Sequence, residues 1–408
     1  MVRALPSLRE ASRLPATLLA VISAFVCAPA VVGAVDLETV LAGQVNLTTF
    51  RGLVQNHSDI FANLPTGVTI VAPNDNAFRK LGNWETYNES MVEATLKYHI
   101  VTQSISMTSI ERGDSIWAST TLNDPMFSSV KGGQRLILTK QPGNEVVFTS
   151  GFATRGTVLV EDLSFDNGLV QVIDSVMRVP ETLESTARNA YTDLTAFLGA
   201  LYATGVMSEL AEESDVTIFA PHNAAFQQLA GTFENMDNEE LRSILRYHIV
   251  PGRLSHVWEL RNASSLTAAD NGELHITRHT NFIYVNSAQI IQTDILISNG
   301  LVHMIDNVLN PDRSAARPDV STTAQAPAFT PVGATATGTT VPTPFTSNLP
   351  CTASCPATQS NGGPAPTGQG NGQGASSSNA GVTPARCTGL AGAGVGLGLA
   401  VGAIMVGF

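Results

Sequence analysis

Val68–Ala72 is a β-rich apolar run that ends at Pro73. Proline has no N–H to donate to a ladder, so the run predicts a strand that stops there. Asn74 follows as a predicted helix cap, with Ala77, Phe78 and Leu81 behind it. Farther along, Leu241, Ile244, Leu245 and His248 stand at i, i+3, i+4 and i+7, one face of a helix. Asp237 and Glu240 precede them in capping-box spacing. Val92, Thr95, Leu96 and His99 repeat that face, and in both places Ile-Val follows as a turn into a strand. Glu145–Thr149 and His275–Arg278 alternate in strand fashion, while Asn167-Gly168 and Asn299-Gly300 signal turns into final apolar strands. Helices come early and strands late in each stretch, which predicts an α+β fold.

This pattern is written twice. Thr69-Ile-Val-Ala-Pro-Asn-Asp-Asn-Ala-Phe78 matches Thr217-Ile-Phe-Ala-Pro-His-Asn-Ala-Ala-Phe226 at an offset of 148. Leu96-Lys-Tyr-His-Ile-Val101 matches Leu245-Arg-Tyr-His-Ile-Val250 at 149, and Asn167–Asp174 matches Asn299–Asp306 at 132. Three blocks in one order define a domain-sized duplication. The drop in offset places about 17 surplus residues in the first copy, between Ile116 and Asp166, in loops. The expected domains span residues 36–180 and 183–312.

The ends have a different character. Arg3, Arg9 and Arg13 precede an apolar run from Leu18 to Ala30, and Val32-Gly33-Ala34 offers small residues. Residues 1–34 therefore read as a secretory signal peptide cleaved after Ala34; the apolar run is too short to span a membrane. Gly389–Phe408 is an uncharged terminal segment behind a polar spacer, with the small residues Ser376, Ser377, Ser378 and Asn379 upstream. That is the pattern of a GPI-anchor signal, with residues 386–408 removed and those four as candidate attachment points; a retained tail anchor is the alternative. Residues 320–385 contain no Asp, Glu, Lys or Arg but twenty Ser/Thr. The stretch 313–385 is thus expected to be a disordered stalk, O-glycosylated or a bare linker.

Composition agrees with this division. The 408 residues include 34 Asp+Glu against 22 Lys+Arg, a net charge of −12, and only 14% are charged. The acidic balance argues against nucleic acid as a partner. Of the four cysteines, Cys27 and Cys387 lie in the removable ends. Cys351 and Cys355 remain as a candidate local disulfide, and the domains must be held by packing alone. No metal or cofactor set is apparent: His275 and His279, four apart in a strand-like stretch, lack helical ligand geometry. No G-x-S-x-G, HExxH or P-loop motif is present, and no enzyme is expected.

The three paired blocks resemble the landmarks of the fasciclin (FAS1) family, over roughly residues 36–312. The whole layout resembles fungal GPI-anchored surface proteins with tandem fasciclin domains. The resemblance implies two β-sandwich wedges flanked by helices, and adhesion in place of catalysis. It also implies candidate adhesion residues. Tyr98-His99 and Tyr247-His248 match the family's Tyr-His pair, though their place on an apolar helix face equally suits a structural histidine near the helix C-terminus. Asp294-Ile295 resembles the Asp-Ile pair of its integrin-interacting motif, for which the first copy has Asp162-Leu163. Apart from the resemblance, Arg112-Gly113-Asp114 spells an integrin-type tripeptide, or else a solvated turn. Arg112 lies 13 residues after His99, as Arg261 does after His248, and there the sequon Asn262-Ala263-Ser264 begins. With Asn46, Asn56 and Asn88, Asn262 completes four expected N-glycosylation sites. The expectation is an extracellular, GPI-anchored, wall-associated adhesion protein that meets glycans, matrix or surface proteins, or its own copies. The rivals are a structural wall spacer and an unrecognised wall-polysaccharide enzyme.

Overall fold

The computed structural model describes residues 35–322, 324–332 and 342–350, all in one compact unit. The signal segment, Cys351, Cys355, the anchor candidates Ser376, Ser377, Ser378 and Asn379, and the tail lie outside the described residues.

Two seven-stranded sheets carry the fold. The first comprises β1 (Val68–Pro73), β2 (Ile100–Val101), β3 (Ser115–Ser119), β4 (Arg135–Lys140), β5 (Val146–Thr149), β6 (Arg155–Phe165) and β7 (Gly168–Ile173). The second comprises β8 (Val216–Pro221), β9 (Ile249–Val250), β10 (Ser265–Thr267), β11 (Glu273–His279), β12 (Phe282–Val285), β13 (Ala288–Ile297) and β14 (Gly300–Ile305). Their orders are the same: β2-β1-β7-β6-β5-β4-β3, and β9-β8-β14-β13-β12-β11-β10. Every pair is antiparallel except β1–β7 and β8–β14. These central strands are covered on both faces, so β1 and β8 are buried throughout. Ile70 and Val170 face one apolar cluster and Val71 and Ile173 the other. The Asn-Gly turns feed the parallel pairs, and glycine is required there. A Cβ on Gly168 or Gly300 would stand 1.8 or 2.0 Å from the carbonyl oxygen of Val68 or Val216.

The caps form where spacing predicts them. The Asn74 side chain accepts from the Ala77 N–H at 2.8 Å, and Asp237 from the Glu240 N–H at 2.8 Å. The helix Asn238–Tyr247 buries Leu241, Ile244 and Leu245.

The largest part of the first copy's surplus has a definite place. Residues 120–134 join β3 to β4, where residues 268–272 suffice between β10 and β11. This longer loop is the bridge to the second domain. The Ser129 N–H donates to the Ser298 carbonyl (3.0 Å), the Lys131 N–H to Asp215 Oδ1 (2.9 Å) and Gln134 Nε2 to the Ile297 carbonyl (3.2 Å). Trp117 of β3 stacks on His256 with centroids 4.8 Å apart.

The stretch expected to leave the second domain at 313 is described over residues 313–322, 324–332 and 342–350, and parts of it stay against that domain. Asn307 and Asn310 donate to the Gln325 and Ala328 carbonyls, and Arg188 donates to the Pro350 carbonyl at 2.8 Å. Phe329, Phe345 and Leu349 pack on the second domain's core. Apolar anchors offset the chain entropy that the uncharged sequence alone could not.

Candidate functional site

The Tyr-His pairs sit at the C-terminal ends of the helices Glu89–Tyr98 and Asn238–Tyr247, facing inward. Tyr98, His99, Tyr247 and His248 are all buried. Tyr98 donates to the Arg135 carbonyl at 2.8 Å; Tyr247 donates to the Glu273 carbonyl at 2.7 Å and accepts from Asn286. Each imidazole bridges two backbone groups. His99 Nδ1 lies 2.7 Å from the Thr95 carbonyl while its Nε2 accepts the Met177 N–H at 3.0 Å. His248 repeats this with the Ile244 carbonyl (2.8 Å) and the Leu309 N–H (2.9 Å). The partners require a neutral ring with its proton on Nδ1. Burial pushes both histidines down to about 4, against a smaller upward pull from the carbonyl bond. The ring thus works as a neutral bridge between a last-turn helix carbonyl and a distant backbone N–H, and not as a cation facing the helix dipole. No receptor can touch these four side chains as they stand.

The Asp-Ile pair is also closed off. Ile295 lies in the second domain's core, and the Asp294 side chain is only 10% exposed. Asp294 occupies a bulge in β13 with φ +58°. Its N–H donates to His303 Nδ1 at 3.2 Å, and its Oδ1 accepts the Val257 N–H at 3.0 Å. His303 Nε2 in turn donates to the Ser255 carbonyl at 2.8 Å. Burial raises the Asp294 carboxyl to about 7. In the first copy Asp162 has φ +56° and Gln171 takes the place of His303. There burial also pushes the carboxyl up, but hydrogen bonds from Ser106, Gln171 and Met107 outweigh it and hold Asp162 below its ordinary value. The shared aspartate secures a bulge in each sheet.

Arg112, Gly113 and Asp114 are exposed, in a tight turn ahead of edge strand β3. Gly113 has φ +85°, its N–H bonds the Lys140 carbonyl at 2.8 Å, and Arg112 Nε reaches Asn144 Oδ1 at 2.7 Å. Ala263, at φ +60°, makes the matching turn ahead of β10 beside Asn262. Asn46, Asn56, Asn88 and Asn262 are all exposed. Two of them also hold backbone through Oδ1: Asn88 accepts from the Met91 N–H and Asn262 from the Arg278 N–H, both at 2.9 Å. A glycan carried on Nδ2 would leave those bonds intact.

Sequence reasoning did not find the bridge between the domains, Asp215 and Gln134 in particular. Its one signal was the surplus length of the first copy. Among the described residues no group of three or more potential ligands could hold a metal ion.

The Fasciclin domain family matches residues 45–180 and 192–311. The chain belongs to the fasciclin family. A fasciclin-like arabinogalactan protein of Arthroderma benhamiae is 32% identical over 269 residues, 64% of this chain and 63% of that protein. This fasciclin chain therefore spans less than two thirds of that relative's length. Another, of Phaeosphaeria nodorum, is 28% identical over 301 residues, 72% of this chain and 94% of its own. Among solved structures, a FAS1 domain pair from the insect cell adhesion molecule Fasciclin I is 17% identical, covering 65% of this chain and 97% of that one, at a TM-score of 0.33.

Proposed function

We propose that this fasciclin protein is an extracellular, GPI-anchored adhesion glycoprotein whose two bridged domains meet surface or matrix partners through weak, repeated contacts. One observation carries the reading. All four sequons and the Arg112-Gly113-Asp114 turn are exposed, whereas the Tyr-His and Asp-Ile pairs are committed to the core. Recognition then belongs to turns, grooves and glycans, and clustering on a membrane multiplies single contacts of low affinity. The fungal relatives named as fasciclin-like arabinogalactan proteins support a glycoprotein role outside the cell.

The test uses the chain as its host displays it. Phosphatidylinositol-specific phospholipase C is expected to release it; retention with an accessible lipid refutes the anchor. The released protein is expected to bind cells or a glycan panel saturably. Absence of binding together with a wall-integrity defect on deletion replaces adhesion with a spacer role, and turnover of a wall polysaccharide replaces it with catalysis. If the exposed turn is the contact, Asp114→Glu weakens adhesion to integrin-bearing cells; unchanged adhesion eliminates the turn.

A further inference from the structure

The two domains differ in one groove. Thr48-Thr-Phe-Arg-Gly52 and Thr195-Ala-Phe-Leu-Gly199 start equivalent helices, Thr48–Asn56 and Thr195–Thr204. In the second domain the groove beside this helix is filled. Phe345 packs edge-on against Phe226 and Phe233, with centroids 6.0 and 5.6 Å away, and Gln227 Nε2 donates to Thr343 Oγ1 at 2.8 Å. Glycine is obligatory beneath it, since a Cβ on Gly199 would stand 2.1 Å from the Phe345 carbonyl oxygen. Phe345 itself has φ +63°, a backbone state that a non-glycine residue holds only where its surroundings impose it.

In the first domain no described residue fills the corresponding groove. Phe78, Trp84 and Arg79 stand where Phe226, Phe233 and Gln227 stand, with Phe78 and Trp84 edge-on at 5.1 Å. They line a space of about 670 Å³ together with Thr48 and Asp75. A Cβ on Gly52 would meet nothing within 4 Å. Each feature that seats the segment is kept: the aromatic pair, a donor in Gln227's place and the bare glycine. Among the described residues no segment of its own fills it. The first domain leads directly into the second through residues 181–182, whereas the second is followed by Pro342–Pro350.

We propose that the open groove of the first domain receives the Pro342–Pro350 segment of a second copy of this chain, which leaves its own second-domain seat to do so. The segment carries no charge of its own, and its phenyl ring matches the Phe78–Trp84 pair. Exchange of one terminal segment between copies links them without a new fold. The proposal deepens the adhesion reading and rests on it for contact between molecules on facing or neighbouring surfaces.

The test is a fluorescent peptide of residues 341–350 titrated onto the full secreted chain, with sedimentation of the chain in parallel. Saturable binding and concentration-dependent dimers are expected. Gly52→Leu, which sets a side chain where the segment's backbone lies over the equivalent Gly199 and favours the helix, is expected to weaken both about tenfold or more, as is Phe345→Ala in the peptide. Equal binding to wild type and Gly52→Leu, or no saturable binding to wild type, overturns the groove. Because the peptide is read in solution, loss of adhesion with peptide binding intact refutes the surface role alone.

Discussion

His248→Leu tests whether a buried neutral imidazole is linked to stability. In the native chain the ring is buried and committed on both nitrogens, so it refuses a proton until about pH 4. The unfolded chain takes that proton near pH 6.5. Between those values the unfolded state binds more protons than the native one, so stability falls as pH falls from about 6.5 to about 4, and this site leaves it flat above 6.5. A depression from 6.5 to about 4 is worth about 3 kcal/mol over that window. At pH 7.5 the leucine variant forfeits both ring bonds and leaves the Leu309 N–H and Ile244 carbonyl without the ring. That costs about 2–4 kcal/mol. The variant has no proton to take up here, so its deficit shrinks by about 2–3 kcal/mol at pH 4.5. Asp294, raised to about 7, acts with the opposite sign, gaining stability as pH falls through 7. It is present in both chains and cancels in the difference. Urea unfolding of the two proteins at pH 7.5 and 4.5, followed by circular dichroism, measures the gap. A gap of equal size at both pH values refutes the linkage, and no deficit at pH 7.5 refutes the bridging role.

Two further predictions concern the interface and the caps. Asp215→Ala removes an acceptor for the Lys131 backbone N–H as well as the 3.4 Å ion pair, whereas Lys131→Ala removes only a side chain that is 75% exposed. Calorimetry should therefore show Asp215→Ala costing about 1–2 kcal/mol more and separating the two domain transitions; equal costs would mean that the backbone contact contributes nothing. Asn88→Asp removes the proposed glycan acceptor and keeps the helix cap, while Asn88→Ala removes both. Mass spectrometry should show the same glycan loss in both, with only the alanine variant less stable, by about 1 kcal/mol; matching melting curves would assign the stability to the sugar.

What was legible in the sequence was local. Asn74 and Asp237 cap helices because the groups they satisfy lie three residues away. The same helical face that marked His248 as apolar foretold its burial, and its Nδ1 partner is one turn back at Ile244. Its Nε2 partner, Leu309, is 61 residues away, and no periodicity points to it. The Asp294-Ile295 pair was assigned by resemblance to an adhesive surface, yet Ile295 belongs to a strand whose inward positions fill the core. Its aspartate serves a bulge that a single sequence does not announce.

The least legible parts are where the two copies diverge, and divergence is what makes them a pair. A loop longer than its counterpart could have hung in solvent. It became a bridge because Gln134 and the Ser129 and Lys131 amides found acceptors on another domain. Composition averaged over residues 313–385 hid Phe329 and Phe345, which pack half-buried on the second domain's core. A segment with no charge and many small residues folds onto a surface when a few rings find a glycine-floored groove, because one buried phenyl offsets the ordering of a residue or two. Gly199 supplies that floor and is covered; Gly52 supplies it and is not. Duplication thus left this fasciclin chain with two seats and, among its described residues, one segment that occupies the second.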